Sequence, residues 1–114
     1  MFSINENTYE MILTRGDTLY LDVSVVYEDG TDYQLHNGDR IYFRMGGGAN
    51  LTKELSIDTT NNIATLKLEP EDTKPLRFTT YKYEFELVAE NGDHSTIVAN
   101  KNFTIDVEQE ESDG

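Results

Sequence analysis

Cysteine and tryptophan are absent, proline occurs twice, and basic residues are scarce: 9 Lys and Arg stand against 22 Asp and Glu in 114 residues. Each shortage excludes something. Without cysteine there is no disulfide scaffold and no thiolate metal site. Without tryptophan and a cysteine pair, an antibody-type domain is excluded. A net charge of −13 repels phosphate backbones and anionic membrane surfaces, so neither nucleic acid nor membrane is expected as a partner. No apolar run approaches the length of a membrane span. The opening Met1-Phe2-Ser3-Ile4-Asn5-Glu6 has no basic region and no apolar core, so no signal peptide is expected. The acidic surface itself reads most simply as a device for solubility and against strand-edge pairing.

What is present favours strands. The apolar set is rich in Val, Ile, Leu, Tyr and Phe. The clearest pattern runs from Leu68 to Ala89: Tyr81, Tyr83, Phe85 and Leu87 alternate with Lys82, Glu84 and Glu86, the period of a half-buried strand that begins near Phe78. Ahead of it, Pro70 suits the first position of a short helical turn, with Glu71 and Asp72 at its positive end and Pro75 stopping it. Pro70, Asp72 and Tyr81 therefore form a structural corner between two sheets, with the Tyr81 hydroxyl expected to bond back into the Glu69–Thr73 turn.

The remaining strands follow from the same grammar. Met11–Leu13 is strand A, and the Arg15-Gly16-Asp17 turn leads into strand B with Leu19, Leu21, Val23 and Val25 inward. Thr31–Leu35 reads as a brief strand. Ile41, Phe43 and Met45 lie inside strand C, and Leu51–Ile57 is strand D. Ala64, Leu66 and Leu68 lie inside strand E. Strand G spans about Ser95 to Val107, with a bulge near Asn100 where Lys101 breaks the alternation. About seven short antiparallel strands separated by Gly, Asn and Asp turns form the pattern of an immunoglobulin-like β-sandwich without a disulfide. Residues 1–9 read as an N-terminal arm or edge strand, 10–107 as the sandwich domain and 108–114 as an acidic, disordered tail.

Candidate chemical motifs are thin. Arg15-Gly16-Asp17 matches an adhesion tripeptide, but reads better as a turn. Asn50-Leu51-Thr52 and Asn102-Phe103-Thr104 match the glycosylation pattern by chance, and the triple glycine at 46–48 lacks a following Lys-Ser or Lys-Thr. Asp29, Asp32, Asp39 and Asp93 are turn residues that cap their own backbones more readily than they assemble a calcium site. His36 and His94 stand apart from any nucleophile, and nothing in the spacing favours a triad of Ser95, His94 and a distant Asp. Neither catalytic residue, cofactor nor metal is assigned, and no enzyme is expected. The outer face of strands C and F carries Tyr42, Arg44 and Lys82, a composition suited to an interaction face as well as to ordinary strand chemistry.

Several segments together carry a family resemblance: Leu13-Thr14-Arg15-Gly16-Asp17-Thr18, Tyr27-Glu28-Asp29-Gly30, Asn37-Gly38-Asp39-Arg40-Ile41-Tyr42-Phe43, Leu68 through Leu76, Tyr81 through Leu87, and Gly92 with Thr96-Ile97. From about Met11 to Val107 the chain resembles small proteins encoded in the structural-gene regions of phages and prophages of Gram-positive bacteria, similar to the N-terminal domain of the upper baseplate protein family. The resemblance implies a virion structural or adaptor module of the tail, baseplate or head, made in the host cytoplasm, that docks to other phage structural proteins and forms homo-oligomers in the particle. It supplies no catalytic or ligand residues. The larger baseplate proteins continue into further domains, so a small adaptor or decoration protein is the form expected here. The alternative is a carbohydrate- or receptor-binding sandwich used in host adhesion, with tyrosines stacked on a cell-surface glycan.

Overall fold

In a computed structural model, which describes residues 2–107, the chain is almost entirely β-structure. Its strands are β1 (Phe2–Ile4), β2 (Met11–Thr14), β3 (Leu19–Val23), β4 (Arg40–Met45), β5 (Leu51–Glu54), β6 (Ser56–Asp58), β7 (Ile63–Leu68), β8 (Thr80–Val88) and β9 (His94–Asp106). One short helix, α1 (Pro70–Thr73), interrupts them. The expected tail, 108–114, lies outside the described residues.

Two open sheets form, one in the order β1-β2-β9-β8-β4-β5 and the other in the order β3-β7-β6. All neighbours are antiparallel except β2 and β9, which run parallel with Met11 opposite Phe103 and Leu13 opposite Ile105. The arrangement is sandwich-like because both sheets give their apolar faces to one core. The larger sheet contributes Met11, Leu13, Ile41, Phe43, Tyr83, Phe85, Phe103 and Ile105. The smaller contributes Leu19, Ala64, Leu66 and Leu68. Phe43 sits at the centre, wholly buried, with the rings of Phe85, Tyr83 and Phe103 centred 5.5, 5.7 and 5.9 Å away.

Local chemistry explains several boundaries. Pro70 occupies the first turn of α1, where its missing N–H costs nothing, and the Asp72 carboxylate accepts the backbone N–H of Glu69 at 2.7 Å. Lys53 on β5 reaches the same carboxylate at 3.0 Å, tying α1 to the sheet. Thr73 is completely buried, and its hydroxyl accepts the N–H of Gly16 at 2.9 Å. Gly16 takes φ 88°, a conformation open to glycine at little cost. The Arg-Gly-Asp turn is thus fastened to α1, and the Arg15 guanidinium lies 4.2 Å from the centre of the Phe78 ring. Thr73→Val should leave the Gly16 N–H without its acceptor and cost about 1–2 kcal/mol in urea denaturation. An unchanged midpoint would show that this bond is immaterial.

The structure corrects five expectations. The described residues form nine strands instead of about seven, and they are not all antiparallel, because β2 joins the larger sheet beside β9 and runs the same way. Leu51–Ile57 is not one strand: the chain leaves the larger sheet after Glu54, buries Leu55, and enters the smaller sheet at Ser56. The Leu55 N–H still bonds to the Ile41 carbonyl at 2.8 Å, so the change of sheet happens at that residue. Thr31–Leu35 is no strand either, since only an isolated bridge joins Val26 and Asp32. Strand β8 starts at Thr80, not Phe78, whose ring is drawn aside under Arg15. Finally, Tyr81 does not bond into Glu69–Thr73. Its hydroxyl accepts the Arg77 N–H at 3.0 Å and donates to the Arg77 carbonyl at 3.3 Å, because the chain turns back at Arg77, closer to Tyr81 than the helix is. Tyr81→Phe should therefore cost about 1 kcal/mol, read from the same denaturation curve, and a stability equal to wild type would remove the corner role.

Strand β9 carries its irregularity near the expected place. Its register against β8 slips between Tyr83 and Phe85 and again between Phe85 and Glu86, and Asn100 adopts φ 54°. Each slip places an extra residue on β9, which bends the strand locally.

Candidate functional site

Two surfaces merit description, the outer face of the larger sheet and a groove between the sheets. On the outer face Tyr42 stands opposite Glu86 and Arg44 opposite Glu84, because β4 and β8 run antiparallel in that register. Arg44 donates to Glu86 across the diagonal, lies 3.9 Å from Glu84, and sits over the Tyr42 ring at 5.0 Å. His94 Nδ1 is 3.0 Å from the second oxygen of Glu86. Hydrogen bonds from His94, then from Arg44, hold the Glu86 carboxyl below the usual glutamate range. Lys82 joins Asn102 on β9 at 2.7 Å. Arg44 and Lys82 line one shallow depression with Glu84 and Asn100, whereas Tyr42 is not among its lining residues. The face is a lattice of cross-strand charge pairs, each of modest energy because it is solvated.

The other candidates are dispersed. His94 and Ser95 are consecutive strand residues and point to opposite faces, so they do not assemble with an aspartate. Asp29 accepts Thr31, and Asp93 interacts with Asn91. Among the described residues no group of three or more His, Cys, Asp or Glu side chains lies at metal-binding spacing.

Asp39 is the residue whose importance the sequence concealed. It is nearly buried, and its carboxylate accepts the backbone N–H groups of His36 and Glu90 and the Tyr33 hydroxyl, each at 2.9 Å. The His36 ring lies 3.3 Å away. Burial alone would raise the Asp39 pKa, but these hydrogen bonds more than compensate and hold it below the ordinary value. Tyr33 is pushed up to about 12, by burial first and by the neighbouring carboxylate second. Gly38 permits this closeness, since a Cβ there would meet the Glu90 Cβ at 2.6 Å. Asp39 thus clips the loop before β4 to the loop after β8.

The inter-sheet groove has a volume of about 260 Å³ and opens beside β3. Leu21 and Val23 form one wall, and Tyr83, Phe85, Ile97 and Val98 form the other. Its lips are Tyr9 and Val26, 47% and 54% exposed. The β1–β2 turn holds Tyr9 at φ 62°, and the Tyr83 hydroxyl donates to the Tyr9 carbonyl. Burial raises that hydroxyl's pKa to about 12, so it stays protonated and keeps the turn in place. Sequence reasoning missed the groove because it depends on which sheet edge β1 joins. No protein-family model, curated protein or solved structure matches the chain.

Proposed function

We propose that the chain is a non-enzymatic structural or adaptor module of a phage particle, with an immunoglobulin-like sandwich fold, acting by docking to other virion proteins. The strand order supports the fold: β2-β9-β8-β4-β5 facing β3-β7-β6 follows the A′GFCC′ and BED sheets of that architecture, and Tyr81 near the start of β8 holds the corner position. Fold alone does not give function. The virion assignment rests on the resemblance borne by the turn and strand segments from Met11 to Val107.

One observation carries the docking reading: open sheet edges flank an exposed apolar groove. Such edges present unpaired backbone groups, and an apolar groove with protruding lips is the form of a protein contact. The glycan alternative is weaker, because two of the tyrosines on the sheet faces each carry a cation over one ring face. Arg44 covers Tyr42, and Lys67 lies 5.3 Å from the centre of Tyr20. Mass spectrometry of purified particles, from cells that carry this gene and produce phage, tests the assignment. The chain should be recovered at a fixed ratio to the major structural proteins. Its absence from particles that package DNA normally would contradict the assignment.

A further inference from the structure

We propose that the free edge of β3, with the groove beside it, accepts an extended strand from a different protein, one with apolar residues at alternate positions and Lys or Arg between them. The inference deepens the docking reading and rests on it, naming the edge used and the chemistry of the partner segment.

Of the sheet edges, β3 is the least protected. Strands β1 and β6 are three residues long, too short to guide much pairing. Strand β5 places Lys53 opposite Phe43, on the core side, where it is ion-paired to Asp72. An inward charge of that kind blocks edge-to-edge addition. Strand β3 has five residues and, among the described residues, pairs only with β7. Strand β1 could have shielded it, but turns back on β2 at the edge of the other sheet, with Phe2 opposite Leu13 and Ile4 opposite Met11.

Burial along β3 shows what is missing. Leu19 at its start is covered, yet Leu21 and Val23, on the same inward side, are only half-buried. Across the groove Ile97 and Val98 are half-buried as well. A strand laid along β3 would meet its backbone hydrogen bonds and send every second side chain between these two walls.

Charge selects the occupant. Asp22 lies on β3 at the groove, and the segment that follows carries Glu28, Asp29 and Asp32, all exposed. A second copy would bring its own charge of −13 to this acidic rim and be repelled. A strand with basic residues on its solvent side is attracted instead.

The probe is a ten-residue peptide of alternating Val and Lys, compared with a variant bearing Glu for each Lys and with a variant of the same composition in two blocks. Amide exchange followed by NMR on the intact chain reads the site. The alternating basic peptide should protect amides within Leu19–Val23, shift Ile97 and Val98, and bind roughly tenfold or more tightly than the acidic peptide, with the difference shrinking as salt is raised. Val26→Ser and Tyr9→Ser, which remove apolar surface at the exposed lips without changing the charge, should each weaken binding while leaving the spectrum of the fold intact. Tyr42→Ala on the opposite face should not. Equal binding of the block peptide, protection confined to β5, no binding at all, or a peptide-free dimer protecting the same amides would each overturn the proposal. A chain present in particles that fails this test loses the β3 site and keeps its docking role. A chain that binds the peptide but is absent from particles loses the virion assignment alone.

Discussion

Phe43→Ala will destabilise the protein by about 4 kcal/mol, the largest effect expected of any single truncation here. Phe43 has no exposed surface and is the shared neighbour of three other rings, Tyr83, Phe85 and Phe103. Its removal forfeits the transfer energy of the ring and leaves a cavity that β4, held between β5 and β8, cannot collapse to fill. The aromatic pairs add about 0.5–1.5 kcal/mol each beyond buried area. Against a typical domain stability of about 5–15 kcal/mol, the variant is left marginal. Phe43→Leu, which keeps most of the volume, should cost about 1–2 kcal/mol. Chemical denaturation of both variants checks the ranking. A loss under 1 kcal/mol for the alanine variant, on any reading of the roughly additive transfer scale, would mean the core is centred elsewhere.

Asp39→Ala will cost about 3 kcal/mol, and the cost will depend on pH. The substitution leaves two backbone N–H groups and one hydroxyl without their acceptor, at a site closed to most of the solvent. In the unfolded chain the carboxyl titrates near 3.8, and in the folded chain it titrates lower. The carboxylate's stabilisation is therefore complete above the unfolded value and is lost as pH falls through the folded one. The gap between wild type and variant should be constant from pH 7 down to about 5 and close progressively below about 4. Asp29 and Asp58 are lowered as well, by bonds from Thr31 and Asn61, and Glu86 by His94, so these three groups act on stability with the same sign as Asp39. A gap that stayed constant to pH 3 would show that the Asp39 charge does not hold the two loops together.

How much of this was legible in the sequence depends on the distance over which each feature is decided. Tyr81, Tyr83, Phe85 and Leu87 are buried as their alternation requires, and so are Ala64, Leu66 and Leu68, because period two is a local property of a strand. Pro70 with Glu71 and Asp72 announced α1 through chemistry confined to one turn. Leu51–Ile57 misled because Leu51, Leu55 and Ile57 keep one phase, broken by Lys53 alone, while the partners change: β5 faces β4, whereas β6 faces β7. Nothing within seven residues specifies a change of partner. Asp39 was hidden for a similar reason, since one of its donors, Glu90, lies 51 positions away. Of the candidate face, Arg44 and Lys82 do share a depression, but the cross-strand glutamates that neutralise Arg44 could be assigned only once the β4–β8 register was known. The groove was the least legible feature, being a property of an unfilled edge.

The docking role we propose joins this small acidic β-structure to other proteins, and amide hydrogen exchange compares that state directly with the free chain. The chain should be measured alone and then within the assembled particle. The account predicts that strand-edge amides which exchange readily in the free chain become protected on assembly, while the core amides of β4 and β8 change little. Identical exchange in the two states would contradict it.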